Sequence, residues 1–278
     1  MNILEQTIFI GLGSLLAGLL GSLTGLGGGI VITPLLALAF GVDIRYAVGA
    51  TLISVIATSS GAAAAYVKEG FTNIRIGMFL EMATTVGAVF GASLAVKLPT
   101  NAIAVIFGLV LLYSAYASAH PPSEPVASER ADRLATLLRM DSSYPSLQGP
   151  RGYHVQAVPA GLSVMFGAGV LSGLLGIGSG ALKVIAMDRA MRIPFKVSTT
   201  TSNFMIGVTA AASAGVYLQR GYIDPGLAMP VMLGVSLGSL VGARLLPKAE
   251  TRALRLLFGI VVAVLAIEMI YHGLTGRL

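Results

Sequence analysis

Two glycine-rich stretches decide the fold: Gly25-Leu26-Gly27-Gly28-Gly29 and Gly176-Ile177-Gly178-Ser179-Gly180. Each interrupts a long apolar run, and they lie 151 residues apart. Glycine this dense is poor helix material, at about 1 kcal/mol per residue against alanine. In hydrocarbon, broken backbone is tolerated only where protein or a water-filled cavity satisfies its N–H and C=O groups. Two such breaks at matching places in two halves point to the binding site of a membrane carrier.

The rest of the composition fits that setting. The chain of 278 residues is 55% hydrophobic and 11% charged, with mean hydropathy +0.84. A soluble domain carries about 25% charge. The apolar runs are long and unalternating, which excludes a β-barrel and predicts an all-α polytopic membrane protein. There are no cysteines, so thiol chemistry and thiolate metal sites are out. The net charge of +6 is spread between apolar runs. It reads as a topology signal, with no basic aromatic face for nucleic acid. MNILEQ has no basic residue ahead of its apolar run, so the first run is expected to belong to the mature protein.

Residues 7–26 form the first run and end at the first break. Residues 30–41, about 12 apolar positions, are too short to span alone, since spanning takes roughly 20. Run and break together predict a re-entrant hairpin, or one broken helix plus a short one. Spans are expected at 46–67, 76–96 and 102–118. Residues 119–155 hold Pro121, Pro122, Pro125, Pro145 and Pro150 among arginines and acids. They read as an extramembrane connector, with a short helix over 128–140 capped by Ser128.

The second half repeats the first at a constant offset of 151. Gly25, Gly27 and Gly29 meet Gly176, Gly178 and Gly180; Gly87 and Gly91 meet Gly238 and Gly242; Phe107-Gly108 meets Phe258-Gly259. The domains expected are therefore repeat 1 (1–118), linker (119–155) and repeat 2 (156–278). Repeat 2 should hold a hairpin unit at 157–191 and spans near 197–218, 226–246 and 253–271. If each broken unit leaves on the side it entered, the repeats are inverted and 13 Lys or Arg fall on one side against 4 on the other. If each unit crosses once, the split is 9 to 8. Cytoplasmic loops carry the excess of bases. The expectation is two inverted-topology repeats, each a glycine-broken hairpin plus three transmembrane helices. The termini are then outside and the linker is cytoplasmic, in the plasma membrane.

Candidate substrate-binding residues cluster at the breaks: Gly25, Gly27, Gly28, Gly29, Gly176, Gly178, Ser179 and Gly180. Lys183 sits just past the second break inside an apolar run, and an ionisable group at membrane depth is a functional hypothesis by default. Its ammonium, with helix N-termini beside it, would suit an anion; the alternative is a lysine that snorkels to the cytoplasmic surface. Ser202 and Asn203 follow in a polar run from Ser198 to Asn203, with Thr51 opposite Ser202 in the first half. Ser198 and Thr199 could instead cap a helix. Lys183 and Asn203 stand where the first half offers Thr33 and Leu52, so contacts should be biased to the second half. Glu81, within a span, is a candidate proton-coupling carboxylate or the partner of a basic neighbour. His120, His154 and His272 are too dispersed for a metal site, and no cofactor or catalytic constellation is evident. A second copy of the chain could dock through Gly87 or Gly238, although these glycines more naturally pack helices within one chain.

Ser172-Gly-Leu-Leu-Gly-Ile-Gly-Ser-Gly-Ala-Leu-Lys-Val184 resembles the GLLGIGGG-x-LKVP motif of the TauE/SafE sulfite-exporter family. Thr199 to Val208 resembles that family's next block, and Gly21 to Ile30 its first copy. The chain departs at Ser179, where a third clustered glycine is usual, and at Ile185, where proline is. The resemblance implies a secondary transporter and not an enzyme. Its cargo would be a small anion, commonly sulfite or an organosulfonate such as sulfoacetate, exported across the inner membrane. The competing expectation is a permease for a neutral solute or metal cation; an intramembrane enzyme or a scaffold is the third.

Overall fold

The computed structural model describes residues 3–24, 28–68, 70–119, 132–145, 149, 151–245 and 251–277. The fold is almost entirely helical. In the first half it runs α1 (Ile3–Thr24), α2 (Gly29–Pro34), α3 (Ile44–Lys68), α4 (Ile74–Lys97) and α5 (Thr100–Ala119). Then come α6 (Arg133–Leu137) and a two-stranded hairpin of β1 (Ser142–Tyr144) and β2 (Arg151–Tyr153). The second half runs α7 (Val158–Leu175), α8 (Gly180–Ile185), α9 (Phe195–Gln219), α10 (Pro225–Leu245) and α11 (Thr251–Thr275).

The repeat read from the sequence reappears in the backbone. The starts of α2, α3, α4 and α5 and those of α8, α9, α10 and α11 differ by 151 residues. α2 and α8 each continue into a π-helical turn, at Leu35–Ala39 and Ala186–Ala190, a device that hydropathy alone does not reveal. Gly41 and Arg192 share the left-handed region at φ 62° and 54°, as do Gly70 and Gly221 at 75° and 73°.

Both broken units fold back on themselves. A Cβ on Gly28 would lie 3.3 Å from Gly18 Cα, and one on Gly13 would meet Leu35 at 3.0 Å, so α2 returns along α1. In the second half Ser179 Oγ donates to the Ala168 carbonyl at 2.6 Å, and Gly161 packs against Met191. Each unit is thus the hairpin form of the two expected.

The halves interlock. α1 packs along α10, α4 along α7, α5 along α11 and α3 along α9, a set that maps onto itself when the halves are exchanged. Small residues set the close approaches: a Cβ on Gly87 would collide with the Phe166 carbonyl, and one on Gly238 with the Leu15 carbonyl. Gly87 and Gly238 therefore pack helices within the chain, the more natural of the two uses weighed for them. Gly49 abuts Tyr222 while Gly207 abuts Ser59, so α3 and α9 run antiparallel.

An apolar belt wraps the bundle. Leu16, Met82, Phe90, Leu109, Leu237 and Ile267 are each more than half exposed. A surface of this kind suits lipid rather than water. Among the described residues, windows in Ile74–Lys97, Val158–Leu175 and Pro225–Gly242 are long and apolar enough to cross a bilayer.

Arg45 and Arg75 stand at opposite ends of the bundle. At one end Arg45 donates to the Leu98 carbonyl (2.7 Å) and lies over the Tyr222 ring, near Lys97 and Arg220. At the other, Arg75 donates to the Arg139 carbonyl (3.2 Å), beside the hairpin strand that carries Arg151. Residues 132–156 are not a loose connector. Ala135, Met140, Tyr153 and Val155 are buried against Ile76, Met187, Met191 and Ile193. Asn73 Nδ2 donates to the Met140 carbonyl (3.0 Å) and to Tyr153 Oη (2.7 Å). The short helix is capped by Asp132, which accepts from Leu134 N and from Val158 N at the start of α7. Ser128, the cap expected from sequence, lies outside the described residues.

Candidate functional site

The two breaks come together inside the bundle. A Cβ on Gly29 would lie 2.8 Å from Val55, 3.2 Å from the Thr51 methyl and 3.7 Å from the Gly176 carbonyl. Val55 also sits 3.2 Å from the Cβ position of Gly178. Gly176, Gly178 and Ser179 all take left-handed backbone, at φ 70°, 66° and 42°. The glycines reach it without a Cβ penalty; Ser179 does not. Gly25 and Gly27 lie outside the described residues, so Gly28 and Gly29 represent the first break here.

Most of the hydroxyls singled out from sequence serve the backbone. Ser202 Oγ donates to the Gly180 carbonyl (3.1 Å). Thr51 Oγ1 lies 2.8 Å from Thr33 Oγ1 and 2.8 Å from the Ala47 carbonyl. Ser202 thereby ties α9 to the first residue of α8, while the Thr51 bond to Ala47 is a back-bond within α3. Ser198 and Thr199 do not cap α9: they donate to the carbonyls of Ile193 and Phe195. Asn203 is half-buried, one position round the helix from Ser202.

Lys183 does not snorkel. Its side chain is fully buried, and Glu81 is 7% exposed. Lys183 Nζ donates to Thr209 Oγ1 at 2.5 Å, and the Thr209 hydroxyl lies 2.6 Å from Glu81 Oε1, to which it donates. Nζ stands 3.8 Å from Glu81 Oε2. Thr84 and Thr85 donate to the two carboxylate oxygens at 2.9 and 3.1 Å. Glu81 thus faces a basic partner. The pair joins the halves, with Glu81 on α4 and Lys183 and Thr209 on α8 and α9. It exists once: at the constant offset Ile32, Thr58 and Met232 match Lys183, Thr209 and Glu81. The residue opposite Lys183 is therefore Ile32, not Thr33.

Sequence reasoning missed Thr209. A signal was present: Ser202 and Thr209 are seven apart, two helical turns, and so share one face of α9. Thr84 and Thr85 likewise stand three and four residues after Glu81, where a helix places neighbours.

A helical bundle belted by apolar side chains, in which two broken hairpins meet and a buried ion pair joins the halves, defines a polytopic membrane protein. The sequence profile described as Sulfite exporter TauE/SafE matches residues 10–269, and the chain belongs to that family. It is similar to the probable membrane transporter protein YunE of Bacillus subtilis, 29% identical over 94% of this chain and 96% of that one. It also resembles YdhB of the same organism (27% identical, 86% and 91% covered). A more distant relative is MJ0441 of Methanocaldococcus jannaschii (25% identical, 92% of each chain), and both are likewise named probable membrane transporter proteins. No solved structure matches the chain at a significant level. The chain is a membrane transporter by family.

Proposed function

We propose that this chain is a secondary transporter that exports a small oxyanion, such as sulfite or a sulfoacetate-like organosulfonate, across the plasma membrane. The anion is held where the two broken hairpins meet, by Lys183 with Thr209 and the backbone around Gly28, Gly29, Gly176, Gly178 and Gly180. Ser179, Ser202, Asn203 and Thr51 line the same region, and Gly25 and Gly27 would complete the first hairpin. The observation that carries this reading is the Lys183 ammonium, fully buried one turn beyond a broken hairpin. A cation at membrane depth is costly and marks a solute path or relay. Among the described residues no three of His, Asp and Glu converge, which disfavours a metal-cation cargo.

Alternating access follows from two inverted repeats, residues 1–118 and 156–278, rocking about that site. The antiparallel run of α3 against α9 supports inversion, because parallel repeats related by an axis along the helices would pair them in parallel. The linker, docked at the end that carries Arg75, Arg139 and Arg151, is then cytoplasmic and the termini are outside.

The test is flux. Purified protein in liposomes should move labelled sulfite, sulfoacetate or sulfate, and Lys183→Ala should reduce that flux at least tenfold, about 1.4 kcal/mol or more of lost stabilisation. Absence of flux for all three anions with folded protein overturns the proposal. Undiminished flux in Lys183→Ala removes Lys183 from the site.

A further inference from the structure

The Lys183 ammonium already has an anion beside it. Glu81 Oε2 lies 3.8 Å from Nζ, and Oε1 takes the hydroxyl proton of the threonine that Nζ itself contacts. Ser202, Ser179 and Thr51 are engaged with backbone carbonyls. The one hydroxyl proton of Thr209 is already given to Glu81, so an oxyanion that uses that hydroxyl takes it from Glu81 and shares the Lys183 ammonium with the carboxylate.

From this we propose that Glu81 is a tethered stand-in for the cargo. The carboxylate and the transported anion compete for Lys183 Nζ and the Thr209 hydroxyl, and Glu81 gives way by taking up one proton. The inference rests on the reading of Lys183 as the anion site. It adds the coupling ion, a proton.

The charge count supports it. Between residues 76–96 of α4, throughout α7 and α8, and between residues 197–216 of α9, Glu81 and Lys183 are the ionisable side chains. The resting Glu81–Lys183 pair is neutral; Asp188, buried on the π-helical turn that follows α8, is the next acidic side chain along that segment. Adding a monoanion alone leaves one uncompensated negative charge in a low-dielectric interior, where such charges are strongly disfavoured. Adding the anion with a proton restores neutrality. The proton comes from water on the side where the anion enters, forms an O–H bond on Glu81, and is released on the other side when the carboxylate returns to Lys183. Thr84 and Thr85, on the same helix as Glu81, flank both oxygens. A protonated carboxyl turned from Lys183 keeps hydroxyl partners on its own helix, since a hydroxyl both donates and accepts. No titratable side chain on α7 or α9 faces the carboxyl within those limits; the one facing charge is Lys183 from α8.

The experiment uses isethionate, a small sulfonate monoanion whose charge is constant across the working pH range, with sulfite and sulfoacetate in parallel. With the wild-type protein in liposomes, a pH difference should concentrate isethionate by about tenfold per unit at equilibrium, the value for one proton per anion. An imposed potassium diffusion potential should leave that distribution unmoved. A distribution that follows the potential and ignores the pH difference overturns the proposal while leaving anion transport standing. Flux of none of the three anions overturns both. Binding to detergent-purified protein gives a second readout. Wild-type affinity for isethionate should weaken as pH rises, because the ionised carboxylate competes better. Glu81→Gln should bind more tightly than wild type at high pH and lose the pH dependence. A merely structural Glu81 predicts equal or weaker binding in the variant, and that result refutes the stand-in role. If Glu81→Gln does not fold, the wild-type distribution decides alone.

Discussion

Replacing Lys183 with methionine keeps the unbranched apolar stem and removes the ammonium. Glu81 would then remain beside Thr84, Thr85 and Thr209 with no cation. Two magnitudes compete. For a unit charge pair at 3.8 Å and an effective dielectric of about 20, Coulomb attraction is about 4 kcal/mol. Removing one partner of a buried pair costs about 3–5 kcal/mol. By contrast, interhelical polar contacts in membrane proteins average only about 0.6 kcal/mol. The larger figure should win here, because what is orphaned is a charge on a side chain only 7% exposed, not a dipole that can find another partner. Lys183→Met is expected to destabilise by about 3 kcal/mol. The double variant Lys183→Met/Glu81→Gln leaves no charge behind and should lie within about 1 kcal/mol of wild type, since apolar or neutral replacements of buried ion pairs are often neutral. Reversible unfolding of purified protein in mixed detergent, run as a double-mutant cycle, measures the difference. A double variant no more stable than Lys183→Met would refute the pairing argument.

Three further outcomes follow from particular contacts. Gly91→Ala should cost about 1–3 kcal/mol by overpacking, because its Cβ would meet the Val170 carbonyl carbon at 2.8 Å. Gly167→Ala, with nothing within 4 Å, should be neutral or stabilise by up to about 1 kcal/mol; thermal unfolding of the two variants side by side checks this. Asn73→Ala removes the cap on Ile76 N and both bonds to the linker. It should cost about 1–3 kcal/mol and expose the 132–156 segment to protease. Burial pushes the Tyr153 phenol above its ordinary range. A raised phenol stabilises the docked linker fully below about pH 10, and that contribution is lost as pH climbs through the folded value above it. Protection of the linker amides, relative to their intrinsic exchange rates, should fall at alkaline pH in wild type, and Tyr153→Phe should remove that fall.

The architecture was legible because its causes are local and repeated. The offset of 151 that aligns Gly25 with Gly176 and Gly87 with Gly238 also aligns the starts of four helices in each half. Glycine density located both breaks, and the 30–41 run, too short to span, folds back as a hairpin. What escaped was structure whose cause is tertiary. The linker's proline content suggested a connector, yet Met140, Tyr153 and Val155 find an apolar surface on Met187, Met191 and Ile193 that no local pattern announces. The cap at Asp132 escaped for the same reason, since its carboxylate serves α6 and α7 together.

The site was legible as a list of polar residues and illegible as a circuit. Lys183 and Glu81 each stood out as charges in apolar runs, but 102 positions separate them in the chain, and only the interlocking of α4 with α7 and α9 brings them together. That placement has a mechanical consequence. Glu81 belongs to the first half and Lys183 to the second, so rocking one half against the other either breaks the pair or must carry it along. Breaking it unaided, at about 3–5 kcal/mol, would hold the opened form down by about two to four orders of magnitude. A solute that neutralises both partners, an anion for Lys183 and a proton for Glu81, removes that penalty. An empty carrier built this way stays shut and leaks neither ligand alone, because each by itself leaves one of the two buried charges uncompensated.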